Sequence, residues 1–289
     1  MKSRSVLIVG CGDLGIRCGT HLAQQGCEVI GVRRNLDKLP PAFAGIAANY
    51  TESGSLAFLA DQQPDFLVAI FNPTDRSEQG YKVGFTRAMD HLLDGLGDHR
   101  PAHIFMTSST RVFDESEGGW VDEDSPLTQS DPWARSIIAA EERLLQSGHK
   151  ASVIRFAGIY GIPGGRLLSR IRRGELCPPS PVSYTNRIHR EDAGAFLAHL
   201  VERAAAAEAL RPIYIGVDDL PAPRYEVESW LAHQMGLEPD PLAGVAEAEP
   251  IRNNSAGHKR CSNAALRDSG YKLIYSDYRQ GYRELLDAG

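Results

Sequence analysis

Gly10, Gly12 and Gly15 stand in the run Gly10-Cys11-Gly12-Asp13-Leu14-Gly15, directly after the apolar stretch Val6-Leu7-Ile8-Val9. Glycines at this spacing, between a strand and a helix, have separate tasks. Gly10 permits a tight turn, Gly12 lets the backbone approach a ligand with no Cβ in the way, and Gly15 lets helix and strand pack closely. The helix that follows presents N–H groups and a partial positive charge, which suits a pyrophosphate. In this strand–turn–helix context the spacing predicts dinucleotide binding by Gly10, Cys11, Gly12, Asp13, Leu14 and Gly15, rather than a merely structural turn. The next strand ends Val32-Arg33-Arg34. A site for NAD places Asp or Glu there, about 20 residues on, to bond the ribose 2′-hydroxyl. Asp37 comes several residues too late for that. Arginine instead forks onto a 2′-phosphate with two bonds. Arg33 and Arg34 therefore make NADP the first choice of cofactor and NAD the second, against a reading of both as solvated surface arginines.

These residues need a scaffold, and the first half supplies strand and helix in alternation. Apolar runs predict strands over 6–9, 28–32, 42–48, 66–71, 104–106 and 152–156. Helical spacing predicts helices over 15–25, 55–62, 79–96 and 136–146. The pattern is that of an α/β protein with a doubly wound parallel sheet, the Rossmann fold. The second half changes character. Pro178-Pro179-Ser180-Pro181 cannot be regular structure. A helix over 193–207, a strand over 213–217, a turn-rich link over 218–223 and a helix over 225–234 follow. Segment 236–256 reads as an irregular acidic excursion, and 262–269 as a helix. The expected division is a dinucleotide-binding domain over 1–162, completed by 186–217, with a smaller C-terminal substrate lobe from 163–185 and 218–289.

Composition excludes several classes. The 289 residues carry a net charge of −6, which gives no attraction to nucleic acid or to an anionic membrane. No run approaches the roughly 20 apolar residues of a membrane helix, and the N-terminus does not read as a signal peptide. The five cysteines, Cys11, Cys18, Cys27, Cys177 and Cys261, are scattered and odd in number. That pattern predicts reduced thiols in a cytoplasmic protein, with neither a disulfide framework nor a metal site. His99 and His103 have ligand-like spacing, but Pro101 between them indicates a surface loop.

Three further segments join the glycine motif. They are Ile104-Phe105-Met106-Thr107-Ser108-Ser109-Thr110-Arg111-Val112-Phe113, Val153-Ile154-Arg155-Phe156-Ala157-Gly158-Ile159-Tyr160-Gly161, and Asn186-Arg187-Ile188-His189-Arg190-Glu191-Asp192. With that motif they resemble the extended short-chain dehydrogenase/reductase superfamily, which includes NAD-dependent epimerases and dehydratases of nucleotide sugars. The first resembles the family's strand ending in serines before Val-Tyr-Gly. The second resembles its Leu-Arg…Tyr-Gly strand, and the third its Asn-x-Ile-His-x-x-Asp. The resemblance covers nearly the whole chain. It implies oxidoreductase-type chemistry on a hydroxyl or carbonyl of a polar small molecule such as a nucleotide sugar. A homodimer paired through helices near 79–96 and 136–146 is an arrangement that it allows.

The family's catalytic set is Ser or Thr, Tyr, and a Lys four residues after the Tyr. By the match, Ser109 is the serine that orients a substrate oxygen. The segment that should read Tyr-Gly-x-Ser-Lys-x-x-x-Glu reads Trp133-Ala134-Arg135-Ser136-Ile137-Ile138-Ala139-Ala140-Glu141. Ser136 and Glu141 keep the frame, but tyrosine has become Trp133 and lysine Ile137. A phenol of pKa about 10 can be drawn toward neutrality by a nearby ammonium, whereas an indole N–H only donates. No tyrosine lies between Tyr81 and Tyr160, and no lysine between Lys82 and Lys150. The chain thus resembles the atypical branch that lacks the Tyr-x-x-x-Lys pair.

Two substitutes are at hand. Tyr81, with Lys82 beside it, opens a helix that runs near the cofactor in the family; the competing reading is an ordinary helix-start residue. Tyr160 ends the sixth strand, where open α/β sheets gather ligands, and either touches the nicotinamide or packs. His189 reads as structural, with Asp192 as a helix-start or packing partner. Arg166, Arg170 and Arg173 fall on one helical face, suited to a diphosphate or simply solvated. Lys259-Arg260 resembles a C-terminal segment of the atypical branch. The expected function is an NAD(P)-dependent epimerase, dehydratase or reductase with a non-standard active site. The alternative is a non-catalytic NADP-binding sensor or regulatory protein, favoured by Trp133 and Ile137.

Overall fold

Val6 to Val9 are fully buried in strand β1 (Ser5–Val9), as a strand covered on both faces must be. The computed structural model describes residues 3–237 and 257–287. It places β1 in a seven-stranded parallel sheet. The other strands are β2 (Glu28–Arg33), β3 (Ala44–Ala47), β4 (Phe66–Ala69), β5 (His103–Ser109), β6 (Ala151–Phe156) and β7 (Ile213–Gly216). Their spatial order is β7-β6-β5-β4-β1-β2-β3. β1 pairs with β2 on one side, Val9 opposite Val32, and with β4 on the other, Val9 opposite Ala69. The chain therefore runs outward from β1 in one direction, returns, and runs outward in the other. Right-handed crossovers in opposite directions put their helices on opposite faces of the sheet. The reversal leaves a crevice beyond the carboxyl ends of β1 and β4.

The described residues divide into two compact units. The first holds 3–112, 127–155 and 193–214; the second holds 113–126, 156–192, 215–237 and 257–287. The first carries the sheet, apart from the last residues of β6 and β7. Among the described residues no helix is long and apolar enough to cross a membrane.

Several helices differ at their edges from the expectation, for local reasons. The first spans Asp13–Gln24, because Gly12 is extended and takes the cap position. The helix expected from 136 begins at Pro132: the Asp131 carboxylate accepts from the Trp133 and Ala134 amides at 2.9 and 3.3 Å, and proline fits the first helical position. Only Leu59–Gln62 of 55–62 is helical. The helix expected over 79–96 starts at Glu78, with Ser77 as its cap, and passes through a π-helical stretch, Lys82–Arg87, before Ala88–Leu96. That stretch sets Gly84 against the backbone of Asn72 and Pro73, where a Cβ would not fit. The helix expected over 193–207 spans Arg190–Ala205, and 262–269 forms Ala264–Asp268. Most of the expected excursion, 238–256, lies outside the described residues.

The second unit packs helices Arg166–Arg172, Arg224–Gln234 and Tyr278–Asp287 around Leu168, Ile171, Val227, Leu231 and Tyr278. Short strands tie its segments together: Gly158–Tyr160 with Arg187–His189, Tyr184–Thr185 with Ala222–Pro223, and Trp120–Val121 with Arg260–Cys261. Lys259 is buried, and its ammonium donates to the Phe113 carbonyl at 3.4 Å. Asp192, also buried, accepts from the Ile274 and Tyr275 amides and the Tyr271 hydroxyl.

In the first unit, Glu141 of the Pro132–Leu145 helix meets Arg155 of β6 at 2.7 Å, and both side chains are 2% exposed. The Ser108 hydroxyl donates to the same carboxylate. Removing one member of such a pair strands the other charge without water. Glu141→Ala is expected to lower stability by about 3–5 kcal/mol, read from chemical denaturation.

Candidate functional site

The crevice at the strand-order reversal has a volume of about 350 Å³. Gly10, Cys11 and Gly12 line it from the end of β1, Arg33 and Arg34 from β2, Asn49 and Tyr50 from beyond β3, and Asn72 from beyond β4. The three glycines do different work. Gly10 has φ +77°, and a Cβ there would be driven into the Ile70 carbonyl oxygen. Its amide and that of Cys11 both donate to the Val32 carbonyl at 3.0 Å, which hooks the turn onto β2. A Cβ at Gly15 would crowd the Ile8 side chain at 3.0 Å, so this glycine serves helix–strand packing. Gly12 has φ −90°, which any residue adopts, and a Cβ there would meet nothing closer than the Gly10 oxygen at 3.9 Å. The protein itself does not need a glycine at 12. No side chain caps the helix that starts there, and Gly12 at its cap position lines the crevice. The residues present thus fit a pyrophosphate.

The two arginines differ. Arg33 is half-buried, and its Nη1 donates to the Cys11 carbonyl at 3.0 Å, bracing the turn. Arg34 is exposed and makes no hydrogen bond or ion pair among the described residues. Asp13 points its carboxylate at Arg17, 3.2 Å away. Burial pushes the Cys11 thiol up to about 11, against the pull of Arg33, so it stays protonated. Tyr50, Asn49 and Asn72 escaped the sequence reading. The Tyr50 hydroxyl accepts from the Asn72 amide at 3.1 Å, holding together the chain ends beyond β3 and β4. Its one signal was its place just after a predicted strand.

At the end of β5, also in the first unit, the serines separate. Ser108 spends its proton on Glu141, whereas Ser109 accepts from the Arg111 amide at 3.1 Å and keeps its proton to donate. Arg111 pairs with Asp131 at 2.6 Å, and its guanidinium lies 4.6 Å from the centre of the Trp133 ring. Tyr81 is 6.1 Å from Trp133, ring centre to ring centre, and stacks on Phe85. The Trp133 Nε1 is shielded from solvent and has no hydrogen-bond partner among the described residues. Ile137 is buried in the core. Tyr81, Trp133 and Arg111 therefore gather, with Ser109 on the backbone of the same turn.

In the second unit a pocket of about 550 Å³ is walled by Ile159, Leu167 and Val227. Four arginines line it: Arg166, Arg170, Arg187 and Arg224. Arg173, expected beside Arg166 and Arg170, falls past the helix end and pairs with Glu175 at 2.6 Å. Glu228, 1% exposed, accepts from Arg170 and Arg224 and from the Cys177 amide. One carboxylate against four guanidiniums leaves a cationic pocket. Tyr160 also lines it. Its ring stacks on Tyr282 at 4.5 Å and meets His189 edge-on at 5.1 Å, and its hydroxyl lies 3.5 Å from the Asp277 carbonyl. Burial drives that hydroxyl far above its ordinary range, so it can donate but not act as a base. Arg187, Arg224 and Glu228 were not singled out from sequence, because nothing local marks them.

No protein-family model matches the chain. A solved structure of a proposed NAD-dependent epimerase/dehydratase from Methylobacillus flagellatus is 33% identical, with TM-score 0.82 and 99% of each chain covered. Protein YeeZ of Escherichia coli K12 is 29% identical over 199 residues, which is 65% of this chain and 70% of YeeZ. MoeE5, solved with UDP-glucuronic acid and NAD, shares the fold at 20% identity, with TM-score 0.78 and 98% of each chain covered. The chain belongs to the NAD-dependent epimerase/dehydratase-like proteins of the Rossmann fold.

Gly10 and Gly12 should respond oppositely to substitution. Gly10→Ala is expected to cost about 3 kcal/mol of stability through the left-handed backbone and the Ile70 clash. Gly12→Val should change stability by less than about 1 kcal/mol yet abolish dinucleotide binding, as thermal melting and calorimetric titration together would report.

Proposed function

We propose that the protein binds NADP, with NAD as second choice, and carries out oxidoreductase-type chemistry on a hydroxyl or carbonyl of a polar substrate such as a nucleotide sugar. The observation that carries this reading is Gly12: an unobstructed glycine at an uncapped helix start, in a switch-point crevice, with the unpaired Arg34 at its rim. Arg34, rather than Arg33, is the residue for a 2′-phosphate, since Arg33 is committed to Cys11. When bound, the nicotinamide would supply or accept hydride. Ser109 donates its free proton to the substrate oxygen. Tyr81 is the phenol nearest the tryptophan that replaces the usual tyrosine, and it is the proton donor of this reading. The arginines of the second unit suit a diphosphate. The UDP-glucuronic acid and NAD found with MoeE5, which has the same fold, favour that substrate class.

The burial of Ile137 favours a second reading, a non-catalytic NADP-binding sensor, since the core holds an alkyl chain where an ammonium would lower a phenol's pKa.

Calorimetric titration with NADP, NADPH, NAD and NADH tests the cofactor. A phosphorylated form should bind at least about 10-fold tighter than its unphosphorylated counterpart, and Arg34→Ala should erase that preference while leaving NAD affinity unchanged. Tighter binding of NAD would refute the role of Arg34. Ser109→Ala should reduce turnover by about 100-fold or more with cofactor affinity intact; turnover that survives the change would remove Ser109 from the chemistry.

A further inference from the structure

The amino ends of β5 and β6 border a cavity of about 420 Å³, at the opposite edge of the sheet from the glycine turn. It lies wholly within the first unit. His103 opens β5 there, Lys150 directly precedes β6, and Arg100, His149 and Glu208 supply the other polar side chains of the wall. The charges in this wall are not balanced. Glu208 pairs with Arg203 at 2.7 Å. The end of the Arg190–Ala205 helix beside it is closed as well: the carbonyls of Glu202, Arg203 and Ala204 accept from the amides of Ala206, Glu208 and Ala207. Arg100 is anchored through Nη1 on the Gly97 and His99 carbonyls at 2.9 and 3.0 Å, and its Nε and Nη2 have no partner among the described residues. The Lys150 ammonium has none either, and both side chains are exposed. Two cations therefore border the cavity without a carboxylate of their own.

His103 gives the cavity a second chemistry. It is 9% exposed, and its Nε2 lies 3.0 Å from the Ser152 hydroxyl. Ser152 donates its own proton to the Arg211 carbonyl at 2.7 Å, so it accepts from His103, and Nε2 carries the hydrogen. Burial, with the charge of Lys150, holds the imidazole down at about 4, so the ring is neutral at pH 7. Its Nδ1 is then a bare lone pair with no partner among the described residues and, unlike the Nδ1 of His149, it is not shielded from solvent. Burial, with Arg100 and His99 nearby, holds the His149 imidazole below its ordinary value too, and only its Nε2 is left to meet a ligand. The His99 ring is committed to the Pro64 carbonyl at 2.8 Å. A nearly buried acceptor kept open beside a cation suits a ligand that brings both negative charge and a proton. Sulfate satisfies the cations but sets an oxygen lone pair against that of His103. Hydrogen phosphate satisfies both, since its P–OH donates while its other oxygens accept.

We propose that this cavity is an anion site selective for an oxyanion that carries its own proton: hydrogen phosphate, free or as a monoester of a small metabolite. The P–OH donates to His103 Nδ1, and Arg100, Lys150 and His149 Nε2 donate to the remaining oxygens. The site is separate from the dinucleotide crevice and from the second-unit pocket, and it does not depend on the function proposed for them.

The test is calorimetric titration of inorganic phosphate, glycerol phosphate and sulfate into the wild-type protein, Arg100→Met and Lys150→Met. Phosphate should bind at least about 10-fold tighter than sulfate. Each substitution should weaken phosphate binding about 3-fold or more, with dinucleotide affinity unchanged. Nitrogen NMR should show the His103 Nδ1 resonance moving with phosphate and not with sulfate. A monoester loses its second proton around pH 6, whereas inorganic phosphate still keeps one at about pH 8. Glycerol phosphate should therefore lose affinity relative to inorganic phosphate as pH rises across that interval. Binding of glycerol phosphate at the lower pH comparable to that of phosphate assigns a phosphorylated metabolite, and binding of phosphate alone assigns the free ion. Sulfate binding as tight as phosphate, phosphate affinity retained in both variants, or no phosphate binding by the wild-type protein overturns the proposal.

Discussion

The left-handed backbone at Gly10 is the constraint that organises the first unit. β1 must stop, turn without a Cβ beneath the Ile70 carbonyl, and hand its next two amides to Val32 at the end of β2. Arg33 then closes the same corner by bonding Cys11. With the turn held from both neighbouring strands, the helix start is fixed in place while its first amides remain uncapped. A binding surface made of backbone needs this kind of rigidity, because a loose turn would lose entropy on binding that its few hydrogen bonds could not offset.

A second set of interactions holds the segment from Asp131 to Glu141 in its frame. Glu141 holds the buried Arg155 and the half-buried Ser108, and Asp131 caps the helix that carries Glu141 while pairing with Arg111. These groups support the sheet and helix whatever reaction takes place there. Position 137 is different: it points into the core, and an isoleucine satisfies that environment better than an ammonium would. The fold therefore needs no ammonium at this position. The Arg111 guanidinium, held by Asp131, lies over the Trp133 ring.

In the second unit, charge is distributed by burial rather than by number. Glu228 accepts from two arginines and a backbone amide at once, which makes its charge affordable at 1% exposure. Asp218, equally buried, has only one amide and stays partly protonated. Aromatic rings complete the packing, with His189 between Tyr160 and Tyr275.

Much of this was legible without coordinates, because it depends on near neighbours in the chain. The glycine turn, the alternation of strand and helix and the sheet class are all local patterns whose physics acts over a few residues. Helix starts were misplaced where a cap outside the apolar pattern, Asp131 or Gly12, set the boundary. What only the tertiary structure decided was which side chains are free to act. Arg33 and Arg34 are the same residue type one position apart, yet one is bound to Cys11 and the other is not. Ser108 and Ser109 differ in the same way. The second-unit pocket draws its arginines from three segments separated by about a dozen residues or more, so no window of sequence could have grouped them. Hydrogen-bond commitment and desolvation depend on partners distant in the chain, and those partners are brought together only by the fold.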